Sequence, residues 1–323
     1  MMRLMTRLTL SALVLVSVVG AAVIPARAQG DSPLSADEQA LLDRVFAARE
    51  VQDGYTNYHE DATQLYVRDT VVAYQGQTQT QQQVTDLTRT AVYVQTGDTR
   101  DFSATLTDTE TSSRVQGAQE DVNTVTVNAD AIYLDGTLYV NAEYAEPGPD
   151  LPALAEGWIV VDDPDADEIL SLLGLGDLVE DTALFDDEAL VRSAATSVTV
   201  EPGTTEDGTA VDVITVAFDG PDSVLAIMAG SPEGVNPTVE AILSVASEAG
   251  MALSVSLDAD NNALEVSSTM VIAAEGIDGH TLSPDQLPEG VTLDLRFDQQ
   301  QTQAFSDFDA EIEPIVAPGV VAE

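Results

Sequence analysis

Hydrophobic and polar positions alternate along most of this chain, and stretches with helical spacing interrupt the alternation. Residues 55–140 are rich in Thr, Val, Tyr and Gln and contain period-two pairs such as Val92 and Val94. Such alternation is typical of β-strands that bury one face. It predicts four to six strands here, with the Gln-rich stretch 75–83 as a polar turn or an edge strand.

Two further patterns predict antiparallel pairing. The dipeptide Asp135-Gly136 separates two apolar triplets, which is a strong signal for a tight β-hairpin. Near the end of the chain, apolar residues alternate with polar ones in 253–257 and again in 291–297. Strands with one buried face and one solvent-exposed face are typical of an antiparallel sheet.

Helical segments are predicted by apolar residues three and four positions apart. The first begins at Ser35, which forms a capping box with Glu38. The last has Asn236 as N-cap, Pro237 at its first position and Gly250 as its stop. Three others are predicted between them, over 169–173, 186–195 and 222–229.

The order of these elements predicts an α+β fold. An acidic connection rich in Pro and Gly occupies 143–168, and a second hairpin is predicted from 198–200 to 211–218. We expect one domain over 29–323, with a short tail at 314–323. Its architecture would be a curved antiparallel sheet with the helices gathered on one face.

The first 28 residues have the form of a cleaved signal peptide. Arg3 and Arg7 precede the apolar run 8–20, and Ala26-Arg27-Ala28 provides a small-x-small cleavage site. No later apolar stretch approaches the roughly 20 residues of a membrane anchor, and the chain has no cysteine that could be acylated. We therefore expect a soluble extracytoplasmic protein, periplasmic or fully secreted, without a stable membrane anchor.

The charge excludes several partners. After cleavage 56 acidic residues face eight arginines and no lysine, a net charge of −48. Nucleic acid needs clustered cations, and anionic lipid headgroups are disfavoured for the same reason. The strong negative electrostatic field of the mature chain also favours a monomer. Adaptation to a salty medium and an acidic protein of an ordinary habitat are equally good explanations of this composition.

The chain resembles the LolA/LppX-type superfamily. The resemblance rests on the N-terminal helix, the strands leading to 131–140, Gly157-Trp158, the helical middle section and the final strands near 305–308. It spans about residues 36–314. It implies an unclosed β-barrel with a helical lid that shields acyl chains or lipoproteins in a hydrophobic cavity. This chain departs from the acylated members by lacking their cysteine.

The sequence offers little for catalysis, so we expect a protein that is not an enzyme and has no cofactor. There is no thiol, no nucleophile elbow and no phosphate-binding glycine loop. His59 and His280 stand far apart outside any motif, and we expect both to be exposed. Carboxylates are so abundant that a glycosidase-type pair can be neither selected nor excluded.

A calcium loop is the alternative interpretation of one acidic turn. Asp258, Asp260 and Asn262 have the spacing of the first EF-hand ligands, but Ala263 and Thr269 stand where that loop needs Gly and Glu. A polar hairpin turn is the simpler interpretation. The cluster of acidic residues at 162–167 is likewise explained by a solvent-exposed loop that precedes a helix.

What remains is apolar surface that could enclose a ligand. The candidates for lining a cavity between the helices and the sheet are Trp158, Leu172, Leu173, Val224, Ile227, Met228, Ile242 and Leu243. Each of them could equally pack the core, since filled and hollow versions use the same residue types. We expect a binding protein for a lipid, acyl chain or other amphipathic ligand. The alternative is a cell-envelope scaffold with a filled core and weak divalent-cation binding.

Overall fold

A computed structural model gives the architecture of most of the chain. It describes residues 34–96, 99–117, 119–146, 157–161, 188–205, 208–229, 235, 237–282 and 287–319. All of the strands in these ranges belong to one antiparallel sheet.

Helices and strands follow one another in the order that the sequence predicts. The first half of the chain contains α1 (Ala36–Asp53), β1 (Asn57–Tyr74), β2 (Gln77–Thr96), β3 (Thr99–Gln116), β4 (Gln119–Leu134), β5 (Thr137–Tyr144) and β6 (Ile159–Val161). The second half contains α2 (Glu188–Ala194), β7 (Ser197–Thr204), β8 (Ala210–Asp219), α3 (Pro221–Ala229), α4 (Pro237–Ser244), β9 (Glu248–Leu257), β10 (Ala263–Asp278), the helical turn α5 (Gly279–Leu282) and β11 (Thr292–Ser306).

The sheet is a meander folded back on itself. Its eleven described strands run in the order β6-β5-β4-β3-β2-β1-β11-β10-β9-β8-β7, so β1 pairs with β11 in the interior, the edge strands β6 and β7 do not pair with each other, and the sheet stays open. Two-residue turns set the register at Gln75-Gly76 and Asp135-Gly136, whose residues all have positive φ. Such turns match the twist of the flanking strands, and the hairpin predicted at Asp135-Gly136 is confirmed.

Helix α1 begins where the sequence predicts. The Ser35 hydroxyl accepts the Glu38 N–H at 3.3 Å, and Glu38 Oε2 accepts the Ser35 N–H at 2.8 Å. This capping box satisfies two backbone donors that the first turn cannot pair. The apolar side of α1, including Leu42 and Phe46, packs against the inner residues of β7–β9.

The side of the sheet that α1 covers is called here the helix face, and the opposite side the open face. Helices α1, α3 and α4 make their main sheet contacts with β7–β10. Among the residues that the structure describes, the buried apolar side chains of the helix face form three clusters, which share the partly buried neighbours Val266 and Met251. Two of them lie beneath these helices, and the third lies on β1–β5, β6 and the end of β11.

Two sequence predictions were wrong in detail. Helix α4 ends at Ser244, not before Gly250, because the Ser247 N–H already donates to the Ala273 carbonyl at 2.8 Å and pulls the chain into the sheet. Gly250 therefore lies inside β9. The stretch 75–83 does contain the predicted turn, but the strand that follows it is interior, between β1 and β3.

Other predictions agree with the structure or fall outside its described residues. Helices α2 and α3, the β7–β8 hairpin and the alternating strands β9 and β11 lie where they were expected. The segment 169–173 and the N-cap Asn236 lie outside the described residues. The predicted α+β class, an open curved antiparallel sheet with helices on one face, is confirmed.

Candidate functional site

A row of aromatic side chains crosses the helix face at one end of β1–β4. The row consists of Tyr58, Tyr93, Phe102 and Tyr133, each directly opposite the next on the neighbouring strand. Successive ring centroids lie 4.6, 6.1 and 5.6 Å apart. These distances are typical of interacting aromatic pairs, so the row forms a continuous apolar wall.

Small residues lie beside this wall. Next to the aromatic row, Ala91, Ala104 and Ala131 face one another on β2, β3 and β4, and Ala62 and Ala129 lie one row further on. We call these five residues the alanine floor. Their exposed fractions are at most 7%. Methyl side chains reach only a short way above a sheet, and other groups of the chain already cover these five residues.

A buried polar pair interrupts the alanine floor, because Arg89 lies directly opposite Ala62 and Glu60 directly opposite Ala91. Arg89 Nη2 lies 2.5 Å from Glu60 Oε1, and both side chains are only 4% exposed. The Tyr93 hydroxyl also hydrogen-bonds to Glu60, and burial, followed by the Glu60 charge, raises the pKa of Tyr93 well above its usual value. A paired buried charge of this kind supplies directional polar contacts within an otherwise apolar surface.

Asp108 lies further along the helix face of β3, between the apolar side chains of Leu87 and Val127 on its two neighbouring strands. Its Oδ1 atom is buried and has no hydrogen-bond partner among the described residues. Burial raises the pKa of Asp108 to about 6, and the negative charges of Glu110 and Asp86 act in the same direction. Burial on this face therefore favours the neutral form of the carboxyl group.

Five of the sequence-predicted cavity residues lie on α3 and α4 and pack against the sheet or the neighbouring helices. Val224, Ile242 and Leu243 are at most 6% exposed and belong to the cluster over β10 and β11, and Met228 packs against that cluster. Ile227 belongs to the cluster under α1.

One other predicted position that the structure describes lies elsewhere. Trp158 is half-buried immediately before β6, which pairs with β5 at the end of the aromatic row. Leu172 and Leu173 lie outside the described residues.

The turn that contains the calcium-loop candidates is held by its own hydrogen bonds. Asp258 Oδ1 accepts the backbone N–H groups of Asp260 and Asn262 at 2.9 and 2.8 Å, and Asp258 Oδ2 accepts the Asn262 side-chain amide at 2.8 Å. Asn262 Oδ1 accepts the Tyr55 hydroxyl. These atoms build the hairpin from β9 to β10, which is the simpler of the two interpretations.

The two histidines occupy separate places. His59 is 40% exposed and its Nδ1 lies 3.5 Å from an Asp307 oxygen, whereas His280 Nδ1 lies 2.9 Å from the Leu287 carbonyl oxygen. Across the described ranges no three His, Cys, Asp or Glu side chains form a group suited to a metal ion. None of the described helices is both long enough and apolar enough to cross a bilayer.

Sequence reasoning missed the aromatic row, the alanine floor and the Arg89–Glu60 pair. All three depend on strand register, which the turns determine. A two-residue turn at Gln75-Gly76 places Tyr58 opposite Tyr93 and Ala62 opposite Arg89. The glycine in that turn was the signal that could have found them.

No protein-family model matches this chain, and no curated protein matches it in sequence. Solved structures give distant matches. LprF from Mycobacterium bovis is 12% identical with a TM-score of 0.32, over 88% of this chain and 97% of that one. A DUF1329 family protein from Desulfovibrio piger is 10% identical with a TM-score of 0.23, over 85% and 95%. A beta-barrel-like protein with the domain of unknown function DUF1849 from Brucella abortus is 11% identical with a TM-score of 0.17, over 78% and 99%. Likeness at this level identifies no family and supports no argument about function.

Proposed function

We propose that this chain is an exported binding protein, without enzymatic activity, that holds an apolar or amphipathic ligand on the helix face of β1–β5. The observation that carries the proposal is the alanine floor beside the aromatic row. The described apolar residues form three clusters, and the one on β1–β5 lies apart from the sheet contacts of α1, α3 and α4.

The chemistry of this surface suits an amphipathic molecule with an acyl chain. The aromatic wall and the alanine floor offer apolar contact, and each methylene that leaves water for such a surface contributes about 0.8 kcal/mol. The Arg89–Glu60 pair interrupts the floor and offers charged hydrogen-bond partners to a polar headgroup. In this proposal the leader 1–28 brings the protein out of the cytoplasm, and the negative charge keeps it soluble and monomeric.

A filled core is the second candidate, favoured by the tight packing of Val224, Ile242 and Leu243. In that case the protein is a cell-envelope scaffold and its helix face binds nothing. The two candidates differ in whether an added side chain on the alanine floor displaces a ligand.

The test replaces Ala131 on the floor with Phe and measures binding of a long-chain fatty acid that carries a fluorophore. Thr124→Phe is the matched control, because it adds the same ring to the exposed open face of the same strand. We expect at least tenfold weaker binding for Ala131→Phe and unchanged binding for the control. Since overpacking costs about 1–3 kcal/mol, Ala131→Val provides a milder variant in which folding is retained. Equal binding by all variants, or no binding by the wild-type protein, contradicts the proposal.

A further inference from the structure

A groove crosses β1–β5 on the open face, on the opposite side of the sheet from the alanine floor. Its volume is about 530 Å³. One wall is a row of five side chains, one from each strand and each directly opposite the next: Asp61, Thr90, Thr105, Asp130 and Asn141.

The second wall repeats this arrangement two residues further along the strands. It consists of Thr63, Thr88, Thr107, Asn128 and Glu143. Between the walls lies the backbone of the intervening row, whose side chains point to the helix face because side chains alternate along a strand. At about 4.8 Å per strand the groove is about 19 Å long.

The residues that line the groove disfavour apolar ligands and anionic ligands. The lining contains no aromatic residue, and its apolar members Ala62, Leu106 and Ala129 belong to the opposite face. The backbone of Arg89 lies between the two walls of the groove, but its guanidinium pairs with Glu60 on the helix face. The walls therefore offer no cation, and the three carboxylates of Asp61, Asp130 and Glu143 repel anions.

Hydroxyl and amide groups dominate what remains. Five threonines and two asparagines line the walls, and each of these groups can both donate and accept hydrogen bonds. Some pair within the groove: Thr90 Oγ1 donates to Asp61 Oδ1 at 2.7 Å, and Thr107 Oγ1 donates to Asn128 Oδ1 at 3.0 Å. Thr63, Thr88 and Thr105 are exposed. A ligand that matches these hydroxyl and amide groups carries closely spaced hydroxyl groups and no negative charge.

The second wall also extends beyond the groove. Directly opposite positions continue it across the rest of the sheet through Thr302, Ser267, Ser254, Thr215 and Thr199. All five carry a hydroxyl group. An extended chain that lies across the strands can therefore meet hydroxyl groups on eight successive strands, from β3 to β7 in the order of the sheet.

We infer that the open-face groove is a binding site for an extended neutral glycan chain. The inference is independent of the proposed function, because it uses the opposite face of the sheet and none of the same side chains. A binding protein with two such faces would hold an apolar ligand on one side while it docks on a polysaccharide with the other.

The test titrates the full mature protein with neutral hexasaccharides of glucose, mannose, xylose and N-acetylglucosamine by calorimetry. The variant Thr88→Val/Thr105→Val removes one hydroxyl from each wall and keeps the side-chain shape and strand preference. The control Thr111→Val/Thr124→Val makes the same change to an open-face pair outside the groove, whose hydroxyls lie 3.1 Å apart.

We expect at least one hexasaccharide to bind, with a Kd that rises at least tenfold in the groove variant and stays unchanged in the control. Circular dichroism confirms that both variants fold. The inference is overturned if no hexasaccharide binds the folded wild-type protein, if both variants bind equally well, or if the groove binds only a cationic probe such as spermine. A fatty acid titration on the same variants keeps this result separate from the proposed function, since neither variant changes the helix face.

Discussion

Replacing Asp108 by Asn should stabilise the protein at neutral pH and leave it unchanged in acid. Asn keeps the shape of a protonated carboxyl group but cannot ionise. In the wild-type protein the ionised carboxylate is half-buried between Leu87 and Val127, with one oxygen unpaired. The neutral amide avoids the cost of placing that charge there.

The size of the effect follows from the pKa. A rise from 3.8 to about 6 corresponds to about 3 kcal/mol at about 1.4 kcal/mol per pKa unit. Since the side chain of Asp108 is half-exposed and solvent screens it, we expect about 1 kcal/mol. The folded-state pKa lies above the unfolded value, so the stabilising contribution is complete below about pH 4 and is lost as the pH rises through about 6.

Urea unfolding, followed through the fluorescence of Trp158, measures this difference at pH 4 and at pH 7.5. Glu120→Gln is the matched control, because it removes one negative charge from an exposed position of β4 opposite the uncharged Val115 and so reports the general relief of self-repulsion. We expect Asp108→Asn to exceed the control by about 1 kcal/mol at pH 7.5 and to equal it at pH 4. An equal gain for both variants at pH 7.5 refutes the assignment of the raised pKa to burial of Asp108.

Three further changes test other parts of the structure. Arg89→Met should lower the free energy of unfolding in urea by about 3–5 kcal/mol, because it leaves the charge of Glu60 buried without a counterion. Adding Glu60→Leu should restore most of that free energy. A double variant as unstable as the single one contradicts this reasoning. Ser35→Ala should lower the unfolding free energy by about 0.5–2 kcal/mol through loss of the capping box, and no change would show that α1 does not depend on its cap. Asp258→Ala should lower the thermal midpoint, while millimolar calcium should leave the wild-type midpoint unchanged; a calcium-dependent rise that a chelator reverses would instead support a cation site in this turn.

Local signals in the sequence predicted the elements well where one short motif determines the geometry. Ser35 and Glu38 form the predicted capping box because both partners lie within one turn of helix. Asp135 and Gly136 form the predicted turn because both positions need positive φ, which Gly adopts freely and Asp tolerates.

Tertiary pairing overrode local preference in α4. Apolar residues at helical spacing continue past Ser244, yet the chain leaves the helix there and joins β10 through Ser247. The backbone hydrogen bonds gained in the sheet ladder outweigh the weak helical preference of a short segment.

The candidate site depended on contacts between residues far apart in the sequence. The period-two pair Val92 and Val94 marks the opposite face of β2 from Tyr93, and only strand register shows that the rings of Tyr58, Tyr93 and Phe102 form one row. The same holds for Arg89 and Glu60, whose pairing follows from the turn at Gln75-Gly76. The sequence predicts a cavity beneath the helices, and in the structure apolar residues there, such as Ile242, pack the core. The alanine floor has no strong sequence signal, since isolated alanines in strands are common.

Native mass spectrometry of the mature protein, purified without detergent from its own or a related host, tests the central proposal most directly. The bound material would then be extracted into solvent and its lipids identified. The account predicts a stoichiometric adduct of lipid size in the wild-type protein, retained in Thr124→Phe and lost in Ala131→Phe. A ligand-free mass for the wild-type protein, unchanged after incubation with long-chain lipids, would contradict the account and favour the filled-core scaffold.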